Sequence, residues 1–233
     1  MCIRDRAPEG RWASLPTAAN TVWGLAIDSA NRRLFVGSPA TATIYAVDLT
    51  ADAPVATVYL TGAGGPNGLT MGPDGALYYS DFSGSHVYRV TGADAGARTR
   101  VTTSTIAQAN GVAFHRDGSL YVDSFSAGSL IRLTLVGHVE STRRTIATSL
   151  GSPDGLAFDA RDRIYVSDNA GGRLIRLDAD GANPEVLRTG ISAAANIEFG
   201  AGALPCTDVY VASGGALVRY EMGDTNGASV PWH

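Results

Sequence analysis

Hydrophobic and polar residues alternate in short runs along this chain, with turn residues between the runs and no helical period. A typical unit begins with a short alternating strand, continues through an Asp-Gly turn such as Asp74-Gly75, and enters a strand rich in β-branched and aromatic residues. A third strand and, in most units, a more polar fourth strand follow. The pattern predicts an all-β fold made of small antiparallel sheets.

The unit recurs at a nearly constant period. Its corresponding positions lie 44, 43, 44 and 42 residues apart along the chain, at Gly24, Gly68, Gly111, Gly155 and Ile197. Four strands in a repeat of about 40 to 50 residues form the blade of a β-propeller, in which each sheet buries its faces against its neighbours. A β-sandwich would lack this self-similarity. Residues 21–233 are therefore predicted to form one propeller domain.

Composition narrows the functional classes. The chain has 233 residues, of which 45% are apolar and 17% charged, so it can bury a full core. Its formal charge is −4 without a basic cluster, which argues against nucleic acid as a partner. The apolar runs are far shorter than the roughly 20 residues of a membrane-spanning helix, and no secretory signal is visible. We expect a soluble protein, in a compartment that the sequence leaves open.

Three short polar residues occupy matching places in successive units. Asn67, Asn110 and Asp154 come one residue before the innermost strand, and the innermost strands of a propeller surround its central channel. We expect their oxygen atoms to converge there, as the ligands of hard cations do. Asx residues also cap local turns. However, the Asp-Gly pairs at 74–75 and 117–118, predicted two-residue hairpin turns, already supply the turns, which favours a functional ring.

Other polar residues lie near the same places. Asn196 holds the ring position of the last unit and is expected to line the channel. Asp81, Asp123 and Asp168 stand at the ends of second strands. We interpret these three as turn caps, with support of the channel residues as the alternative. No Gly-x-Ser-x-Gly elbow is present, which disfavours serine hydrolase chemistry.

The chain resembles a known family over nearly all of residues 20–222. The resemblance rests on three stretches: ANGVAFHRDGSLYV from Ala109, PDGLAFDARDRIYVSDNAGGRLIRLDADG from Pro153, and ANIEFGAGALPCTDVYVAS from Ala195. They are similar to the senescence marker protein, gluconolactonase and luciferin-regenerating enzyme family of six-bladed propellers. The resemblance implies a divalent cation, commonly Ca²⁺, in the central channel and hydrolysis of a lactone or related ester.

The resemblance also implies roles for individual residues. Asn110 and Asp154 would be metal ligands, and Asp154 would also accept a proton during catalysis. Asn67 would contact the substrate and a metal-bound water. We assign Asn196 to the same substrate-binding group.

One family ligand has no counterpart here. The family uses a Glu from its first blade, whereas Trp23 stands at that ring position and residues 17–28 contain no Glu. Either the first visible unit is the second blade of a six-bladed propeller, or the protein is a diverged relative without the full site. Residues 1–20 read as a leader that does not fit the repeat, although Gly10 to Pro16 could supply an outer strand that closes a five-bladed ring.

The fold expectation is therefore a propeller of the six-bladed type with about five blades in this chain. The functional expectation is a metal-dependent lactone hydrolase. The alternative is a non-catalytic propeller that binds a ligand or a protein partner, because one fold hosts many unrelated tasks.

Overall fold

The computed structural model describes residues 15–19, 21–92, 97–201 and 204–222, and these residues form strands, turns and loops without an α-helix. The described residues form nineteen strands in five antiparallel sheets, and in each sheet strands that follow one another in sequence pair with one another. The predicted all-β propeller with five blades in this chain is confirmed. None of the described residues belongs to a helix with the length and apolarity that a membrane crossing needs.

The blades follow one another along the chain. The first contains β1 (Gly24–Asp28), β2 (Arg33–Ser38), β3 (Thr43–Asp48) and β4 (Ala56–Thr61), and the second contains β5 (Pro66–Met71), β6 (Leu77–Asp81), β7 (His86–Val90) and β8 (Arg98–Arg100). The third contains β9 (Ala109–Phe114), β10 (Leu120–Ser124), β11 (Ser129–Val136) and β12 (Val139–Ala147). The fourth contains β13 (Pro153–Phe158), β14 (Ile164–Asp168), β15 (Arg173–Leu177) and β16 (Glu185–Arg188). The fifth has three strands among the described residues: β17 (Ala194–Phe199), β18 (Val209–Ser213) and β19 (Ala216–Tyr220).

Apolar side chains between consecutive sheets hold the blades together. Phe35 of the first blade packs in one cluster with Leu77 of the second, and Tyr78 of the second packs with Leu120 of the third. Equivalent clusters join the third blade to the fourth and the fourth to the fifth. Burying each large apolar side chain contributes about 1.5–3 kcal/mol, so a blade is stable only between its neighbours.

The inner strands approach one another so closely that a side chain would not fit. β1 packs against β5, β5 against β9, β9 against β13, and β13 against β17. A Cβ atom built on the repeated glycines would lie 1.7 to 2.7 Å from backbone atoms of the next inner strand: Gly24 from Asn67 O, Gly68 from Asn110 O, Gly111 from Asp154 O, and Gly155 from Asn196 Cα. The periodic glycine is therefore a packing requirement between blades.

The Asp-Gly turns differ in length from the prediction. In the second blade the Gly72 N–H donates to Ala76 O across Pro73, Asp74 and Gly75. Gly75 closes this three-residue loop with a φ of 74°, and Gly118 does the same in the third blade with a φ of 83°. The two-residue prediction was wrong because the left-handed glycine forms the last position of a longer hairpin loop.

The first blade has one face that no other described sheet covers. On this face Leu15 and Ala19 pack against Val36 and Tyr45, and residues 15–19 form a turn rather than a strand. The rest of the predicted outer strand, residues 10–14, lies outside the described residues, as does most of the predicted leader. Between the fifth blade and the first, the Asn196 amide donates to the Trp23 backbone carbonyl at 2.6 Å.

Gly68→Ala tests the packing of the inner strands. We expect the free energy of unfolding to fall by about 1–3 kcal/mol, since the new Cβ would meet the backbone of β9, which cannot move aside. Urea titration followed by tryptophan fluorescence measures the loss. Gly75→Asn is the matched control, because its side chain meets open space and Asn tolerates left-handed backbone. Equal losses in the two variants would contradict the packing argument.

Candidate functional site

The three predicted ring residues lie at equivalent places on neighbouring inner strands. Asn67, Asn110 and Asp154 are the second residues of β5, β9 and β13, so they lie inside these strands and not before them as predicted. In each blade the pairing with the second strand is irregular beside this residue, as in a β-bulge. A bulge redirects side chains, which explains why a strand can carry a polar group towards the centre.

Asn110 and Asp154 lie beside each other. The side-chain amides of Asn110 and of Asn169, which follows β14 directly, favour the charged form of the Asp154 carboxylate. Burial raises the pKa of Asp154 to about 6, and these two amides oppose the rise. The structure thus brings together the two residues predicted as metal ligands, and it adds Asn169, which the sequence reasoning did not select.

The remaining ring positions differ from one another. Asn67 is buried beside the first blade, where its backbone carbonyl faces Gly24. Asn196 is half-buried, and its amide nitrogen binds the Trp23 carbonyl. Trp23 itself is 39% exposed. Asn67, Asn110, Asp154 and Asn196 therefore share one end of the blades, and we call them the polar ring.

Two of the three strand-end aspartates cap turns as predicted. Asp81 Oδ1 accepts hydrogen bonds from the Gly65 and Gly84 N–H groups at 2.8 and 2.9 Å. Asp168 makes the equivalent bonds in the fourth blade and pairs with Arg173 at 2.6 Å. Both carboxylates hold the loops that frame the polar ring.

Asp123 does not follow this rule, and its assignment as a turn cap was wrong. The second strands end in Ser80-Asp81, Asp123-Ser124 and Ser167-Asp168, so the order of the two residues is reversed in the third blade. Ser124 bonds the adjacent loop through the Ala107 carbonyl at 2.8 Å. Asp123 instead takes the inward position that Ser80 and Ser167 occupy in the neighbouring blades.

Several buried oxygen atoms next to the polar ring have no hydrogen-bond donor. Both carboxylate oxygens of Asp123 and the Oδ1 atom of Asn110 are without a donor among the described residues. Burial and then the negative charge of Asp154 raise the pKa of Asp123 well above its usual range. Buried acceptors of this kind favour a proton or a cation beside them.

This donor set fits a hard cation. Carboxylate and amide oxygens are the ligands that Ca²⁺ takes, and no soft sulfur or imidazole ligand is involved. Nowhere in the described part of the chain do three or more His, Cys, Asp or Glu side chains form a cluster. Any cation at the polar ring would therefore need the asparagine oxygens as well as the carboxylates.

Three aromatic side chains stand at the same end of the blades. Phe82 and Phe125 directly follow β6 and β10. Phe82 meets Trp23 edge to face at 5.5 Å and Phe125 at 5.6 Å between ring centroids. All three remain partly exposed, and we call them the aromatic arc. A phenylalanine directly after the second strand in two successive repeats was the available sequence signal.

A groove of about 600 Å³ lies between the first two blades, at the opposite ends of the strands. Its charged side chains are paired, Arg89 with Asp74 at 2.7 Å and Arg33 with Asp28 at 2.9 Å. The carboxylates at this groove thus have arginine partners, whereas neither carboxylate oxygen of Asp123, beside the polar ring, has a donor among the described residues.

The described residues thus define a β-propeller with a buried, oxygen-rich cluster on its inner strands. The sequence profile of the SMP-30/gluconolactonase/LRE-like region matches residues 83–215, which is more than half of the chain, and the chain belongs to this family. No protein of curated function matches its sequence significantly.

Solved structures show the same fold at low sequence identity. The chain is similar to a protein provisionally named a gluconolactonase, with a TM-score of 0.70, 19% identity, and coverage of 86% of this chain and 73% of that one. For a structure of the nidogen–laminin complex the TM-score is 0.72, with 17% identity and coverage of 87% and 76%. For virginiamycin B lyase from Staphylococcus aureus it is 0.65, with 18% identity and coverage of 91% and 73%. At these identities the likeness shows the fold alone.

The buried network around Asp168 should make stability depend on pH. Burial alone would raise the pKa of Asp168, but the N–H groups of Ser152 and Gly171 and the Arg173 guanidinium outweigh burial and lower the pKa. The stabilisation is therefore fully present when the pH is above about 3.9, the usual pKa of an aspartate, and it is lost as the pH falls through the lowered pKa of Asp168 in the folded protein.

We expect Asp168→Ala to lose about 2–3 kcal/mol of unfolding free energy at pH 7, and the difference from the unsubstituted protein to shrink below about pH 4. Urea titrations at pH 7, 5 and 3 measure it. Asp180→Asn, at an exposed turn, is the control. A difference that stays constant across this range would show that Asp168 stabilises the fold by packing and not by charge.

Proposed function

We propose that this protein is a metal-dependent hydrolase of a lactone or a related ester, with its site at the polar ring. The observation that carries the proposal is the buried Asn110–Asp154 pair. The Asn110 amide favours the charged form of the carboxylate, while its Oδ1 atom has no donor among the described residues. Asp154 and Asn110 Oδ1 would hold the cation, for which we propose Ca²⁺.

The cation, when bound, would polarise the substrate carbonyl and lower the pKa of water. Asp154 is the proton acceptor of the proposal. The amides of Asn110 and Asn169 orient its carboxylate, and they stabilise the charged form that can accept a proton. Asn67 and Asn196 would contact polar atoms of the substrate from the neighbouring inner strands.

In its proton balance, the proposed hydrolysis of the lactone requires only water and the Asp154 carboxylate as the group that takes up and returns a proton. A water oxygen adds to the lactone carbonyl carbon, and Asp154 takes the proton that the water releases. The bond between the carbonyl carbon and the ring oxygen then breaks, and the proton passes from Asp154 to the leaving alkoxide. The product is the open hydroxy acid, and the carboxylate is regenerated.

The aromatic arc supports a substrate with an apolar face. Aromatic rings stabilise a stacked or edge-on partner by about 0.5–1.5 kcal/mol beyond the burial of its surface. Because Trp23, Phe82 and Phe125 are partly exposed beside the polar ring, we propose that they pack against the part of the substrate that does not react.

Hydrolysis of a panel of aliphatic, aromatic and sugar lactones, with and without Ca²⁺, tests the function. We expect Ca²⁺-dependent turnover that Asp154→Asn lowers by about 10²–10⁴-fold, since the amide cannot accept the proton. Asp180→Asn is the matched control and should retain full activity, because it removes a carboxylate at an exposed turn of the fourth blade.

The result also separates the two functional classes. Ca²⁺-dependent turnover that disappears in Asp154→Asn supports the hydrolase. Lactone binding without turnover by the folded, Ca²⁺-loaded protein would contradict it and would favour the non-catalytic, ligand-binding alternative.

Phe125→Ala tests the contribution of the aromatic arc. We expect KM for an aromatic lactone such as dihydrocoumarin to rise about three- to tenfold, with a smaller change for a sugar lactone, since only the aromatic substrate loses a ring contact. Phe125→Leu is the control for side-chain volume and should give an intermediate value. Equal changes for the two substrates would show that the arc does not contact the substrate.

A further inference from the structure

The reversed residue pair in the third blade places a carboxylate where its neighbours have a hydroxyl. In the second blade, Ser80 Oγ accepts the Gly68 N–H at 2.8 Å and donates to the Asn110 carbonyl of the next inner strand. In the fourth blade, Ser167 makes the same two bonds, with Gly155 and with Ala195. The hydroxyl thus joins each inner strand to the following one.

Asp123 occupies this position between the third and fourth blades but makes neither bond. Its side chain is fully buried, and neither carboxylate oxygen has a donor among the described residues. A carboxylate cannot donate to the backbone carbonyl that faces it, so the link made by serine in the other blades is lost here. The third blade therefore has a carboxylate that needs a positively charged partner, where the neighbouring blades have a hydroxyl with both of its hydrogen bonds made.

The position of Asp123 directs it towards the polar ring. A Cβ atom on Gly111 would lie 2.7 Å from Asp123 Oδ2 and also 2.7 Å from the Asp154 backbone oxygen. The carboxylate therefore reaches over Gly111 into the space between β9 and β13. Asn110, whose Oδ1 atom also has no donor in the described part of the chain, precedes this glycine.

We propose that Asp123 is an additional carboxylate ligand of the cation at the polar ring, together with Asn110 Oδ1 and Asp154. The inference rests on the proposed function only in requiring that a cation bind at this site. Two carboxylates would balance the charge of Ca²⁺, and Ca²⁺ affinity increases with the number of charged ligands. Asp123 would thus supply a second carboxylate, in place of the first-blade Glu that the family resemblance implies.

Calorimetric titration with calcium chloride at pH 7.5 tests this assignment on the whole chain. Asp123→Ser is the principal variant, since it installs the residue that the two neighbouring blades use and restores the link between inner strands. Asp123→Asn is the second variant and keeps the shape of the side chain. Asp180→Asn controls for the loss of one negative charge.

We expect one Ca²⁺ site in the unsubstituted protein and in Asp180→Asn, and a Kd at least tenfold higher in both Asp123 variants. Thermal unfolding supplies a second readout. Ca²⁺ should raise the Tm of the unsubstituted protein but not of Asp123→Ser. Without Ca²⁺, Asp123→Ser should be at least as stable as the unsubstituted protein, because a buried carboxylate without a donor has been removed.

Two results would overturn the assignment. One is Ca²⁺ binding by Asp123→Ser with unchanged Kd, which would leave Asp123 as a protonated acid that replaces serine. The other is the absence of Ca²⁺ binding by the unsubstituted protein. Loss of binding in the Asp123 variants without lactone hydrolysis by any form would support the ligand and refute the hydrolase. Hydrolysis with unchanged binding in the variants would do the reverse.

Discussion

Contact between neighbouring inner strands without an intervening side chain is the constraint on which the rest of the structure depends. Glycine recurs at Gly24, Gly68, Gly111 and Gly155 because any Cβ there would overlap the backbone of the next blade. The residue before each glycine is then brought near its counterparts in the adjacent blades. One backbone requirement thus fixes the spacing of the blades and assembles the polar ring.

The strand ends stabilise loops and inner strands in the second and fourth blades, and we propose that the strand end of the third blade binds a cation. Asp81 and Asp168 accept hydrogen bonds from loop N–H groups, and Ser80 joins two inner strands. Asp123 satisfies none of its acceptors in this way. A buried acceptor without a donor costs about 1–3 kcal/mol, and a bound ion is one of the explanations for such a group in a native structure.

The fold could be predicted from the sequence because the same weak strand pattern recurs in every repeat. Any single strand such as β6 is ambiguous, but the same alternation at a fixed period, with glycine at matching positions, allowed the blades to be assigned. The turn length was wrong because Asp74-Gly75 suits both two-residue and three-residue hairpin loops, and only the backbone hydrogen bonds distinguish them.

Less of the candidate site than of the fold could be predicted from the sequence. The in-register placement of Asn110 and Asp154 was visible, since it follows from the repeat. Asp123 was grouped with Asp81 and Asp168 because a shift of one residue looks minor in an alignment. In a strand that shift moves a side chain to the opposite face, and its consequence depends on which atoms the neighbouring blade presents. Asn169 was missed because its role depends on a contact between two different strands.

The hydrogen bond from Asn196 to the Trp23 carbonyl connects residues 173 positions apart, whereas consecutive blades repeat every 42 to 44 residues. The entropy of closing a loop grows with the logarithm of its length, and each doubling costs about 0.6 kcal/mol, so this contact costs about 1.2 kcal/mol more than a contact between adjacent blades. Blades can therefore assemble successively on their neighbours. The contact between the first and the fifth blade is expected to form last and to open first when the protein fluctuates.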